Sequence, residues 1–175
     1  LDCECQKRCD CVPADVMPPK PPPPSPPPPP PPPVIHHKDL CAGLNMSWSL
    51  SADGVYAFNV SSNFSAWLAL GFSRDGKMVG PQPAKTGTET TAVIAMPGEG
   101  KGGTAGEYVM RGYTKSAITP QHSEGCGNFS VTQTSAGTVL RFTRHANNSN
   151  GEDAQIAAAG AATQLVFALG KNNTF

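Results

Sequence analysis

From residue 39 onward, apolar and polar residues alternate in short runs separated by turn signals. Period-2 alternation is the signature of strands that bury one face. Within 46–50, Met46, Trp48 and Leu50 fall on one side; a turn at Ala52-Asp53-Gly54 follows, then a second run over 55–60. Residues 67–72 form a nearly continuous apolar run, the pattern of a central strand, and 73–76 supply its turn. Further strands are expected over 91–96, 108–112, 129–133, 138–143 and 164–169. Residues 154–162 read equally as a helical turn or a loop, because Gly160 interrupts an alanine-rich stretch. Seven or more short strands at this spacing predict an all-β sandwich.

The pattern stops upstream of residue 39. Residues 17–33 hold 14 of the 19 prolines, interrupted chiefly by Lys20 and Ser25. Each proline fixes φ near −65° and removes an amide donor, which denies the segment both helix and sheet. A left-handed polyproline II arm is expected, about 50 Å long over residues 18–33 at about 3.1 Å per residue. Such a rod is a strut rather than a flexible tether. A hinge with His36 and His37 follows at 34–38, and residues 1–16 carry Cys3, Cys5, Cys9 and Cys11 as C-x-C-x3-C-x-C. The expected organisation is a Cys-rich segment (1–16), an arm with its hinge (17–38) and a β domain (39–175).

Composition changes the picture in one respect. Six Asn-x-Ser/Thr sequons occur, at Asn45, Asn59, Asn63, Asn128, Asn147 and Asn172, while charged residues make up only 15% of the chain. A surface kept soluble by N-linked sugar rather than by Lys and Glu is expected. Six cysteines, an even number, point the same way, toward a secreted, disulfide-bonded extracellular protein. Thirteen basic residues balance thirteen acidic ones with no basic stripe, which leaves nucleic acid without an electrostatic footprint. No apolar run approaches the length of a membrane span. The start at Leu1 reads as a processed form or a piece of a longer chain.

Two resemblances follow from particular motifs. Ser25 and the eight prolines after it resemble the Ser-Pro repeats of extensin-type, hydroxyproline-rich glycoproteins of plant and green-algal cell walls. The resemblance implies galactose on Ser25. It also implies hydroxylation and arabinose-type O-glycans on Pro22, Pro23, Pro24, Pro26, Pro27, Pro28, Pro29, Pro30, Pro31, Pro32 and Pro33. A bare linker is the alternative, and a proline-recognition ligand a further one. In the domain, W-L-A-L-G-F-S-R-D-G-K-M-V-G at 67–80 resembles the DOMON family, in which an apolar strand and a glycine turn lead to Met-Val-Gly. T-A-V-I-A-M at 91–96, Y-V-M-R-G-Y-T-K-S-A-I-T-P at 108–120, L-R-F-T-R at 140–144 and L-V-F-A-L-G at 165–170 resemble its later strands, in order. The resemblance covers about 40–175 and implies an immunoglobulin-like β-sandwich of roughly ten strands. Family members bind haem b or sugar-like ligands, and occur in cellobiose dehydrogenase and dopamine β-hydroxylase. In the haem-binding members iron sits between a Met after the glycine turn, here Met78, and a His beyond the last strand. The chain through Phe175 offers no His there, so that ligand would lie downstream in a longer precursor.

The remaining chemistry is sparse. Cys41 and Cys126 flank the early and middle strands; a disulfide between them would close about 85 residues and add a few kcal/mol. Cys3, Cys5, Cys9 and Cys11 are expected in disulfides, within their segment or to a neighbouring chain, and their spacing departs from the C-x2-C of zinc knuckles. His36 and His37 point to opposite sides of an extended segment, which disfavours a shared metal, and His122 reads as a loop residue. Gly98, Gly100 and Gly103 match G-x-G-x-x-G, but Pro97 precedes them and a strand, not the helix that a dinucleotide site needs, follows. No Ser-His-Asp order or paired carboxylates appear.

A non-enzymatic structural glycoprotein is therefore expected, without metal or cofactor. It would assemble through its arm into a homo-oligomer or filament. A haem b electron-transfer domain using Met78 is one alternative. A carbohydrate-binding module is another, with Tyr108 and Tyr113 as its stacking candidates because Trp48 and Trp67 read as core.

Overall fold

A computed structural model describes residues 22–79, 90–98, 103–121, 125–146, 156 and 162–172. The expectations for Cys3, Cys5, Cys9, Cys11, Gly100, His122 and Asn147 lie outside these residues, as do those for most of 154–162. The chain divides into two units, Leu1–Pro31 and Pro32–Phe175. In the first, the described residues from Pro22 are exposed and adopt neither helix nor strand.

The second unit is an all-β sandwich. Ten strands are described: β1 (Ile35–Cys41), β2 (Leu44–Leu50), β3 (Val55–Ser62), β4 (Leu68–Ser73), β5 (Thr90–Met96), β6 (Thr104–Met110), β7 (Ile118–Gln121), β8 (Cys126–Thr134), β9 (Gly137–His145) and β10 (Gln164–Leu169). They form two antiparallel five-stranded sheets, in the orders β1-β2-β3-β9-β8 and β10-β4-β5-β6-β7. Alternation decides which side chains go inside. Met46, Phe58, Val60, Leu140 and Phe142 of the first sheet face Leu68, Leu70, Phe72, Val93 and Ala95 of the second. Three phenylalanines knit the layers: Phe58 stacks on Phe142 at 5.0 Å, and Phe72 meets them edge-on at 5.5 and 6.3 Å.

One charged pair crosses this core. Arg144 of β9 and Glu107 of β6 are 1% and 3% exposed, and Nη1 lies 3.0 Å from Oε1. Nη1 also donates to Thr91 Oγ1 at 3.2 Å, and the guanidinium sits 4.4 Å from the Phe72 ring centre. The pair ties one sheet to the other at a point where both ions have left water.

Two expectations require correction here. Residues 35–38, read as a hinge, belong instead to β1, which pairs with β2. Six of the seven β1 residues are exposed and only Leu40 packs on the core, which explains why no apolar alternation marks the strand. His36 stacks on Trp48 at 5.4 Å. The expected Cys41–Cys126 disulfide is not formed. Cys41 lies on one edge strand and Cys126 on the opposite edge, four strand spacings or about 19 Å across. They also occupy opposite ends of the sheet, since Cys41 pairs with Leu44 and Cys126 with Arg144. A disulfide needs Cα atoms within about 7 Å.

Candidate functional site

The two outer faces of the sandwich differ in kind. On the first sheet the outward positions are polar. Asn45 and Asn59 lie there with Ser47 and Ser61: Ser61 Oγ donates to Asn45 Oδ1 at 2.5 Å, and Asn59 Nδ2 to Ser47 Oγ at 3.4 Å. Asn128 sits in the β8 bulge at φ 54°, exposed, and donates to Thr143 Oγ1 at 3.1 Å. Exposed Asn63 follows β3 directly. Four sequons thus cluster on or beside this face, with Asn59 the only half-buried one.

On the second sheet the outward positions are apolar. Ala69, Ala92, Ile94 and Met110 form a buried cluster of their own, outside the inter-sheet core, flanked by Trp67, Met78 and Ile118. Small residues on β4 and β5 leave a concave floor, and larger ones on the surrounding elements make its walls. The resulting groove has a volume of about 330 Å³, at the small end of the range for ligand sites. Ala69, Gly71 and Ala92 are its floor. Gly71 is required at this point, because a Cβ there would come within 2.7 Å of Val166 and 3.1 Å of the Thr91 carbonyl. Trp67 lines one end and Tyr113 the rim. Tyr113 is 81% exposed, unusual for so large a ring. Trp67, expected in the core, belongs instead to this outer face. The alternation of 67–72 is hidden because both faces of β4 are covered, leaving every residue of the strand buried. Tyr108 packs on the apolar cluster, and Asn172 accepts the Trp67 backbone N–H at 3.2 Å.

The turn after β4 carries Met78 to the groove. Gly76 takes φ 74°, the left-handed conformation that glycine adopts without strain. Asp75 Oδ1 accepts the Lys77 N–H at 3.0 Å and the Ser73 hydroxyl at 3.0 Å. Thr90 Oγ1 donates to the Lys77 carbonyl at 2.9 Å, tying the turn to β5. The Lys77 amide, with help from Ser73 and the Lys77 charge, holds the Asp75 carboxyl below its ordinary value of 3.8. A depressed carboxylate stabilises the fold above the unfolded value, and that contribution is lost as pH falls through the folded value. Acidification below about pH 4 is therefore expected to loosen the turn before the sandwich unfolds. Faster hydrogen exchange at the Lys77 amide, with core amides of β5 still protected, would be the readout; equal protection across that range would contradict it.

No protein-family model matches the chain, and no curated protein matches its sequence.

Met78 does line the groove, as the haem expectation requires, but among the described residues no histidine does. His36, His37 and His145 all belong to the first sheet. Among the described residues no group of three or more His, Cys, Asp or Glu side chains comes together to hold a metal. Met/His ligation of a b-type haem at this groove would need an imidazole from outside the described residues. Among the described residues no helix is long and apolar enough to cross a membrane.

Proposed function

We propose that this chain is a secreted, non-enzymatic structural glycoprotein. Its DOMON-type sandwich is carried on a wall-type polyproline arm, and the arm links copies into an extracellular fibre or matrix. The observation that carries the reading is the junction of arm and domain. The described arm residues are exposed and form no strand or helix, and they run directly into β1, the edge strand of the first sheet. As polyproline II the described residues 22–33 would make a rod of about 37 Å, more than twice the radius of gyration of a domain this size, about 14 Å. It therefore reaches a neighbour, and a head-to-tail contact that does not close propagates as a filament. The contrast between faces supports the same reading. Sugars on Asn45, Asn63 and Asn128 would sheathe the polar face and restrict association to the rest of the surface.

Removal of residues 1–33 is expected to leave a soluble monomer with the far-ultraviolet spectrum of a folded β protein. Electron microscopy of the full and shortened chains checks this. Fibres that persist in the shortened chain would rule out assembly through the arm.

A further inference from the structure

We propose that the groove on the outer face of the second sheet is a docking site for polyproline II, and that its occupant is the proline arm of a second copy of this chain. The inference rests on the assembly reading above and names the surface that the arm engages.

The groove's length suits such a rod. Trp67 directly precedes Leu68, which pairs with Ala95, whereas Met110 pairs with Thr90. The floor between these levels therefore spans about five residues of strand, or about 17 Å. That length accepts about five or six residues of polyproline II at about 3.1 Å each. The arm offers eight prolines without interruption, Pro26 to Pro33.

The chemistry suits it as well. A proline rod has no N–H donors; it presents pyrrolidine rings and carbonyl acceptors. Such a ligand asks for a trough lined with aromatic rings, and for donors at its rim to meet the carbonyls. The groove supplies Trp67, Tyr113, Met78 and a floor of small residues. The exposed Tyr113 adds a hydroxyl able to donate to a proline carbonyl. A preformed rod also loses little conformational entropy on docking. With three residues per turn, one face of the rod enters the groove while the other two remain free to carry sugar. A second copy is the source because a rod this stiff does not double back within a few residues.

The test uses the full chain, with a synthetic octaproline as competitor and sedimentation velocity as readout. Octaproline is expected to disperse the assembly. Tyr113→Ala, at a position outside the core, is expected to raise the concentration needed for assembly by about tenfold or more. Ala92→Leu, which fills the floor, should act in the same direction. Unchanged far-ultraviolet spectra would show that both variants fold. If deletion of residues 1–33 disperses the assembly but octaproline and both variants leave it intact, the groove is not the dock, and the assembly reading stands. If the full chain is monomeric at every concentration yet its tryptophan emission shifts with octaproline, the groove takes polyproline but not from a second copy. The named occupant is then wrong, and the assembly reading falls with it. Displacement of the assembly by a glucan oligosaccharide but not by octaproline would overturn the proposal in favour of a sugar site.

Discussion

Replacing Arg144 with alanine is expected to lower the unfolding free energy by about 3–5 kcal/mol, the range for breaking a buried ion pair from one side. The reason lies in what is left behind. Glu107 is 3% exposed, and its carboxylate would remain between the sheets without the guanidinium 3.0 Å away. Phe72 would lose the cation lying over its ring, and Thr91 the donor to its hydroxyl. The double variant Arg144→Met/Glu107→Leu separates burial of the Glu107 charge without its Arg144 partner from loss of an attraction. Replacing both ions by apolar groups of similar volume is often neutral or stabilising, so the double variant should recover most of the loss. Urea unfolding of wild type and both variants measures this. Equal destabilisation in the single and double variants would show that the pair itself, rather than the carboxylate deprived of Arg144, supplies the stability.

The second large effect is expected at Gly137, which opens β9. Its φ of 142° falls in the region that L residues avoid, and a Cβ there would collide with the Ser62 carbonyl on the neighbouring strand. That neighbour is backbone, paired through the β3–β9 register at Ser62 and Thr138, and it cannot swing aside as a side chain would. Gly137→Ala should therefore cost about 3 kcal/mol or more, combining strained backbone with a displaced ladder. Gly54 provides the control. It also has positive φ, at 75°, but a Cβ there meets nothing within 4 Å. Gly54→Ala should cost only the conformational strain, about 1 kcal/mol. Thermal unfolding of the two variants side by side tests the distinction, and equal losses would contradict it.

The strands legible in the sequence were those whose alternation reports one buried face: β2, β3 and β9 fall where the pattern places them. β5 and β10 fall where their apolar runs place them, and β4 one residue later. β6 begins at Thr104, earlier than the expected 108, because Gly103 and Gly106 read as loop punctuation. Gly106 nonetheless pairs with Ile94 within the ladder. β1 and β7 were not legible, for a shared reason. Both are edge strands, and their exposed or half-exposed residues give no period-2 signal. The groove was hidden by a different effect. Its floor consists of Ala and Gly, which fit equally well in a packed core, and the sequence does not say that Ala69 and Ala92 face away from Leu70 and Val93 until the sheet order is known. Arg144 carried no warning either; a basic residue at the end of an alternating strand ordinarily points to water.

Assembly through the arm is the central claim, and sedimentation velocity tests it most directly. The measurement compares the full chain with the chain beginning at Val34 over a concentration series. The account predicts large, concentration-dependent species for the full chain and a single monomer boundary for the shortened one. Identical monomer boundaries for both, at every concentration, would contradict it.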